Sequence, residues 1–164
     1  MYVRAAVAER LLPRMIGPNA TRDWLFWLDY DLTPADGAER FAMGTPNVVG
    51  MFGAVESLAL LRELDPDLID QHVTGLAAEA IEGLAGLGYH VVTPREEHSG
   101  IVTFRTERSK EDSAAWLGQL AERRSYLALH LDKAALPHLR LSFHCYNTRQ
   151  EVHQFLNMLE RVQS

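Results

Sequence analysis

The sequence predicts an α+β fold, in which a small and mostly antiparallel sheet is covered by helices. Helical and strand patterns follow Gly44 in the order α-α-β-β-α-β-β-α. The first two strand patterns, 89–93 and 101–105, are joined by the short polar loop 94–100, which favours a hairpin over a helical crossover. Hydrophobic residues make up 47% of the 164 residues, which is enough for one core but not for two large domains.

The first quarter of the chain is irregular and rich in aromatic residues. Residues 1–3 are typical of the end of a strand, and a short helix is predicted from Ala5 to Leu12, before Pro13. We expect segment 24–30 to contact another domain or subunit, because apolar patches of this kind mark interfaces; burial in the chain's own core is the alternative. The side chains expected at that interface are Trp24, Phe26, Trp27 and Tyr30.

Two long helices are predicted in the middle of the chain. From Val48 to Leu64 the sequence is apolar nearly all round, so we expect this helix to be buried on most sides. The second helix follows a cap at Asp65, is amphipathic, and ends at Gly88, a typical C-terminal cap.

The last third contains two more strands and two more helices. The capping-box pattern 109–112 predicts the start of one helix, and strand patterns follow at 126–131 and 138–144. A second capping box, 148–151, precedes the closing helix.

Composition narrows the function classes. The net charge of −6 argues against a nucleic-acid binder that works by phosphate neutralisation, and no apolar run is long enough to span a membrane. A single cysteine, Cys145, excludes an internal disulfide and suits a reducing compartment. Because the first residues also lack a signal-peptide pattern, the expected location is the cytoplasm.

Segment 40–50, Arg-Phe-Ala-Met-Gly-Thr-Pro-Asn-Val-Val-Gly, joins the irregular quarter to the first long helix. Gly44 can supply a positive φ or a close backbone approach, Thr45 a hydroxyl cap, and Pro46 the φ of a first helical residue. Free N–H groups at such a helix start can bind an anion such as phosphate. An ordinary capped helix is the alternative.

A second informative segment is the strand that contains Arg140. A guanidinium held on a strand and facing a cleft is a natural bidentate partner for a carboxylate, whereas a solvated arginine on an exposed sheet face is the alternative. Strand alternation places Leu139, Leu141 and Phe143 on one face and Arg140, Ser142 and His144 on the other.

Together the two segments resemble the C-terminal part of the class V aminotransferase family of fold-type I pyridoxal-phosphate enzymes. The resemblance rests on Arg-Phe-x-x-Gly-Thr-Pro-Asn at 40–47, Ser-Gly-Ile-Val-Thr-Phe at 99–104, and Leu-Arg-Leu-Ser-x-x-x-Tyr-Asn-Thr-x-x-Glu at 139–151. It extends over nearly the whole chain. It implies that 1–45 are a remnant of the large domain and an interface arm, and that 46–164 form the small α+β domain.

The resemblance also implies roles for individual residues. Thr45 is similar to the residue that contacts the phosphate of pyridoxal phosphate across a homodimer, with Gly44 and Asn47 shaping the phosphate turn. Arg140 is similar to the family's anchor for the α-carboxylate of an amino-acid substrate. The expected partner is a second copy of the chain or the missing large domain.

The chain departs from the family pattern at the cofactor lysine. Schiff-base catalysis needs an activated lysine, but the chain has only Lys110 and Lys133, both in polar contexts that predict the surface. No residue of this chain is therefore assigned a catalytic role. We expect half a site, which lacks the Schiff-base lysine, and transamination, epimerisation and elimination all stay open.

Two other groups of residues are weaker evidence of a functional site. The spacing of the histidines and the cysteine in the last third matches no compact zinc pattern, and neighbouring His144 and Cys145 are expected on opposite faces of a strand. Desulfuration is the least favoured family chemistry, because the loop before the Arg140 strand contains no cysteine. The competing hypothesis for the whole chain is a non-catalytic α+β domain that binds another protein. The candidate metal ligands are His130, His138, His144, Cys145 and His153.

Overall fold

A computed structural model describes residues 2–25 and 31–163, which form parts of two compact units, Met1–Ala59 and Leu60–Ser164. The boundary between the units falls within the second helix. Within the described residues no helix has the length and apolar character needed to cross a membrane. The elements are α1 Ala5–Ala8, α2 Val48–Glu63, α3 Pro66–Gly86, β1 Ile101–Arg105, α4 Lys110–Glu122, β2 Ala128–Leu131, β3 Pro137–Ser142 and α5 Arg149–Gln163, with short 3₁₀ turns at Pro18–Ala20 and Gly37–Phe41.

The second unit contains an antiparallel three-stranded sheet in the order β1-β3-β2, which confirms the α+β prediction. The strand predicted at 89–93 is instead a single bridge between Val91 and Phe104. The ladder stops there because the Thr93 hydroxyl, rather than a main-chain carbonyl, accepts the hydrogen bond from the Thr103 N–H (2.9 Å). Pro94, which has no N–H, follows at once.

The core of this unit lies on one face of the sheet, against α3, α4 and α5. Strand alternation buries Val102 and Phe104 of β1 and Leu139 of β3, and Phe104 packs edge-on against the rings of Tyr89 and Trp116. The helices add their own buried positions. These are Leu76, Ala77, Ala80, Ile81 and Leu84 of α3, Trp116 and Leu120 of α4, and Val152, Phe155 and Leu159 of α5.

The predicted caps in this unit are confirmed. Ser109 accepts a hydrogen bond from the Asp112 N–H, and the Asp65 carboxylate accepts one from Asp67. The second capping box closes in both directions, because Glu151 accepts from the Thr148 N–H (2.7 Å) while its own N–H donates to the Thr148 hydroxyl (3.3 Å). Helix α3 ends before Gly88, whose φ of +84° is the left-handed conformation expected there.

In the first unit, hydrogen bonds to the main chain surround small buried alanines, and the Ala35 N–H donates to the carbonyl of Ala20 (2.8 Å). The Arg40 guanidinium donates to the carbonyls of Ala35 (3.0 Å) and Ala8 (3.1 Å), and so ties α1 to the segment that leads into α2. Helix α1 ends at Ala8, four residues earlier than predicted. Of the aromatic segment, Trp24 is half exposed, whereas Phe26, Trp27 and Tyr30 lie outside the described residues.

Helix α2 forms over the predicted range, but the expectation that it is buried on most sides is wrong for the chain as it stands. None of the described side chains on this helix is buried. Val49 is 83% exposed and Phe52 is 72% exposed. The pattern indicates how apolar the helix is but not which polypeptide covers it, and the described part of this chain leaves its apolar side chains exposed.

Candidate functional site

The first candidate site is the segment before α2. The helix begins at Val48, so the cap is Asn47, whose side-chain oxygen accepts from the Gly50 N–H (3.0 Å). A β-carbon at position 50 would overlap the side-chain amide of Asn47, which would have to shift. The expectations that Thr45 caps the helix and that Pro46 is its first residue are therefore wrong by two positions.

The structure assigns Gly44 and Thr45 different surroundings from those expected. Gly44 has neither a positive φ nor a close neighbour, and its carbonyl accepts from the Asn19 amide (3.1 Å). The close approach occurs at Gly17, where an added β-carbon would overlap the backbone of Met43. Thr45 is exposed, and its hydroxyl makes no hydrogen bond to any residue that the structure describes. A phosphate oxygen could therefore accept a hydrogen bond from Thr45 without displacing an internal partner.

The second candidate site is the sheet face opposite the core. Arg140 lies on the central strand β3, directly between Thr103 of β1 and Ala128 of β2. The residue is half-buried, and its Nε is a buried donor without a hydrogen-bond acceptor among the described residues. A buried guanidinium nitrogen that lacks a partner fits an external carboxylate, which would supply the missing acceptor.

The same face carries a second row of basic side chains next to Arg140. In the strand register Arg105 of β1 pairs with His138 of β3, and His138 pairs with His130 of β2. The backbone N–H of Arg105 also donates to the backbone carbonyl of His90 (2.9 Å), so His90 lies next to Arg105 at the end of this row. In the sequence, His130 and His138 suggest only a candidate metal site. Strand alternation is the signal that could place His138 beside Arg140, since His138 lies two residues away and therefore on the same face.

The other candidate groups lie apart from this face. Lys110 starts α4 and Lys133 lies in the turn after β2, and both are exposed as predicted. The expectation that His144 and Cys145 point to opposite faces is wrong, because β3 ends at Ser142 and a turn follows, in which His144 Nδ1 lies 3.1 Å from Cys145 Sγ.

Two further features do not add to the site. Among the described residues no three His, Cys, Asp or Glu side chains are grouped closely enough to hold a metal ion. An open groove of about 820 Å³ runs beside α5 between Tyr126 and Phe155, but Arg140 does not line it.

Comparison with known proteins identifies the family. The sequence profile of Aminotransferase class-V matches residues 1–155. A probable cysteine desulfurase of Pyrococcus abyssi is 27% identical over 173 residues, which include 99% of this chain and 42% of that protein. The apo cysteine desulfurase of Thermococcus onnurineus NA1 superposes with a TM-score of 0.74 at 25% identity, over 98% of this chain and 42% of that one.

These comparisons identify the fold and the share of it that this chain contains. The chain spans about two fifths of the length of the relatives it matches. A C-DES mutant with glycine covalently linked to its PLP cofactor shares the fold at 20% identity, with a TM-score of 0.75 over 97% of this chain and 40% of that one. Because the profile covers nearly all of the sequence, the chain belongs to the class V aminotransferase family, the family of pyridoxal-phosphate enzymes that its motifs resemble.

Proposed function

We propose that this chain supplies the substrate-carboxylate and cofactor-phosphate contacts of a pyridoxal-phosphate-dependent enzyme that acts on an amino acid in the cytoplasm. The observation that supports this function best is the unpartnered, buried Nε of Arg140. In this proposal Arg140 binds the α-carboxylate, while Thr45 donates its hydroxyl hydrogen to the cofactor phosphate.

The energetics of burial favour a ligand at Arg140. A buried donor that makes no hydrogen bond destabilises the fold by about 1–3 kcal/mol, and by more when the group is charged. A carboxylate on this face would accept from Nε and from a terminal nitrogen in the bidentate geometry that guanidinium groups favour. No described carboxylate of the chain pairs with Arg140, so an external one can do so.

The cofactor contact is supported by the surroundings of Thr45. Asn47 already occupies one N–H of the first turn of α2, and the Val48 N–H donates to the carbonyl of Pro46 (2.9 Å). Binding by the helix start alone is therefore weakened, and the exposed Thr45 hydroxyl becomes the principal donor. When bound, pyridoxal phosphate supplies the electron sink for chemistry at the amino-acid α-carbon.

The catalytic lysine comes from outside this chain in our proposal. Lys110 and Lys133 are exposed, so neither has the buried surroundings that activate a lysine amine by desolvation. The uncovered apolar surface of α2, together with Trp24 of the aromatic segment, is the expected contact for the lysine-bearing portion or for a second copy. Phe26, Trp27 and Tyr30 belong to the same proposed contact.

The reaction catalysed by the whole enzyme is left open between transamination, epimerisation and elimination. The proteins it resembles include a probable cysteine desulfurase and a cysteine desulfurase of known structure. We do not assign sulfur transfer to this chain, because residues 132–136 between β2 and β3 contain no cysteine and Cys145 follows Arg140.

Nuclear magnetic resonance of the Arg140 Nε–H group tests this proposal directly. L-alanine should shift that signal, whereas L-alaninamide, which has the same shape without the carboxylate charge, should not. The Arg105 signal is the internal control, because its Nε already donates to Glu107 (2.6 Å). If both ligands shift the signal equally, or if neither does, the carboxylate role is wrong and the non-catalytic binding domain becomes the better interpretation.

A further inference from the structure

The basic row beside Arg140 has a consequence for substrate choice. His138 lies two residues from Arg140 on the same face of β3, and two strand steps place their Cα atoms about 7 Å apart. His130 faces His138 directly on β2. An anion bound at Arg140 therefore lies within reach of an imidazole.

The hydrogen bonding of His138 fixes which ring nitrogen is available. Its Nδ1 lies 2.8 Å from the carbonyl oxygen of Leu136. Because a carbonyl can only accept, Nδ1 carries the hydrogen, and Nε2 is the nitrogen that gains a proton when the ring becomes charged. The Nε2 atom has no partner among the residues that the structure describes.

Charged and titratable groups of both signs lie around His138. Arg105 on β1 is paired with Glu107 (2.6 Å), which offsets its charge, and His130 on β2 is exposed. The nearby carboxylate of Asp132 accepts from the N–H groups of Ala134 and Leu136, so it is held in the turn. The Arg140 guanidinium lies on the same strand and face, so an anion between the two side chains can contact both.

We propose that His138 is a second, pH-dependent anion-binding group beside Arg140, so that this site selects amino acids whose side chain ends in a carboxylate. This inference rests on the proposed function of Arg140. The α-carboxylate of such a substrate pairs with Arg140, and its side-chain carboxylate accepts a hydrogen bond from Nε2 of the protonated His138.

L-aspartate and L-asparagine test the proposal, because they share a shape and differ in side-chain charge. Their dissociation constants for the chain are measured from the Arg140 Nε–H and His138 ring signals at pH 6 and pH 8. At pH 6 we expect aspartate to bind at least about tenfold more tightly, because a hydrogen bond between charged groups contributes at least that factor to an affinity. At pH 8 the ratio should fall to within about twofold, since histidine loses its charge across this range.

Three variants distinguish the effect of the His138 charge from a structural effect of the substitution. His138→Gln keeps a polar side chain without the charge and should abolish the preference for aspartate. His138→Lys keeps a charge at both pH values and should preserve the preference at pH 8. His153→Gln is the matched control, because His153 lies on α5, whose apolar residues join the core on the other sheet face, and the preference should be unchanged.

The outcomes distinguish this inference from the function on which it rests. Equal affinity for aspartate and asparagine at pH 6, or a preference that survives in His138→Gln, overturns the role of His138 and leaves Arg140 as an anchor. If neither amino acid binds, or if Arg140→Gln binds both as well as the natural chain does, the proposed function fails and this inference fails with it.

Discussion

Gly17 lies against the carbonyl of Met43, so closely that a β-carbon at position 17 would overlap that backbone. This approach, together with the hydrogen bond from Asn19 to Gly44, holds the segment that presents Thr45. The proposed phosphate contact therefore depends on a glycine far from it in sequence.

Gly17→Ala should displace the backbone from Met43 to Thr45. Because the overlapping atom is backbone rather than a flexible side chain, the first unit should lose about 1–3 kcal/mol of stability. Amide shifts of Gly44 and Thr45 and urea unfolding measure the effect. Gly44→Ala is the matched control, since a β-carbon there meets no heavy atom within 4 Å and should change unfolding little. Equal effects of the two variants would contradict this account.

His98 should be important for attaching the loop 94–100 to α3. Its ring nitrogens lie 3.0 Å from the carbonyl oxygen of Arg95 and 3.2 Å from that of Thr74, and the single N–H of a neutral imidazole can donate to either oxygen. His98→Ala should destabilise the second unit by about 1–3 kcal/mol because the hydrogen bond from this N–H is lost. Urea unfolding measures this, with His153→Ala, an exposed residue, as control. A loss no larger than the control's would mean that the loop is held in another way.

Most of the second unit could be predicted from the sequence because its helix caps and strands depend on residues that are close together in the chain. Strand alternation, capping boxes and the Gly88 cap each need only neighbouring residues, and all are present. The strand expected at 89–93 was wrong because the Thr93 side chain replaces a ladder hydrogen bond, and residue patterns cannot distinguish these two acceptors.

The candidate site could be predicted only in part. Arg140 was identified from alternation and motif, but its lack of an internal partner depends on how residues distant in sequence pack around it. The cap at α2 was assigned two residues early because Thr45, Pro46 and Asn47 are all suitable near a helix start, and only the backbone path selects Asn47. The row of basic side chains beside Arg140 could be predicted only if the register between the strands were known, and a sequence pattern does not determine that register.

Acid titration provides a local test of the first unit. The Asp31 carboxylate accepts from the Thr33 hydroxyl (2.6 Å) and from the Thr33 N–H (2.9 Å), and these bonds lower the pKa of Asp31 below its usual value. The resulting stabilisation is present above the unfolded pKa and is lost as the pH falls through the folded pKa. Thr33→Val removes the hydroxyl, so the pKa should rise towards its usual value.

Carbon-13 resonances of the Asp31 carboxyl group, followed from about pH 2 to pH 6, measure this pKa. Thr74→Val is the control, since its hydroxyl donates to the Asp70 backbone carbonyl in α3 instead. An unchanged Asp31 titration in Thr33→Val would show that the hydroxyl contributes nothing to the shift.

Substitution of Phe52 separates stability of the chain from assembly. Phe52 is 72% exposed on α2, so Phe52→Glu should change the free energy of unfolding by less than about 0.5 kcal/mol. Phe104, which is fully buried, is the contrasting site, and Phe104→Ala should cost about 3–5 kcal/mol. If α2 is an assembly surface, Phe52→Glu should weaken self-association and binding to a lysine-bearing class V portion, because a charge in an apolar interface must be desolvated. Light scattering after size-exclusion chromatography measures both, and association equal to that of the natural chain would rule out α2 as the contact.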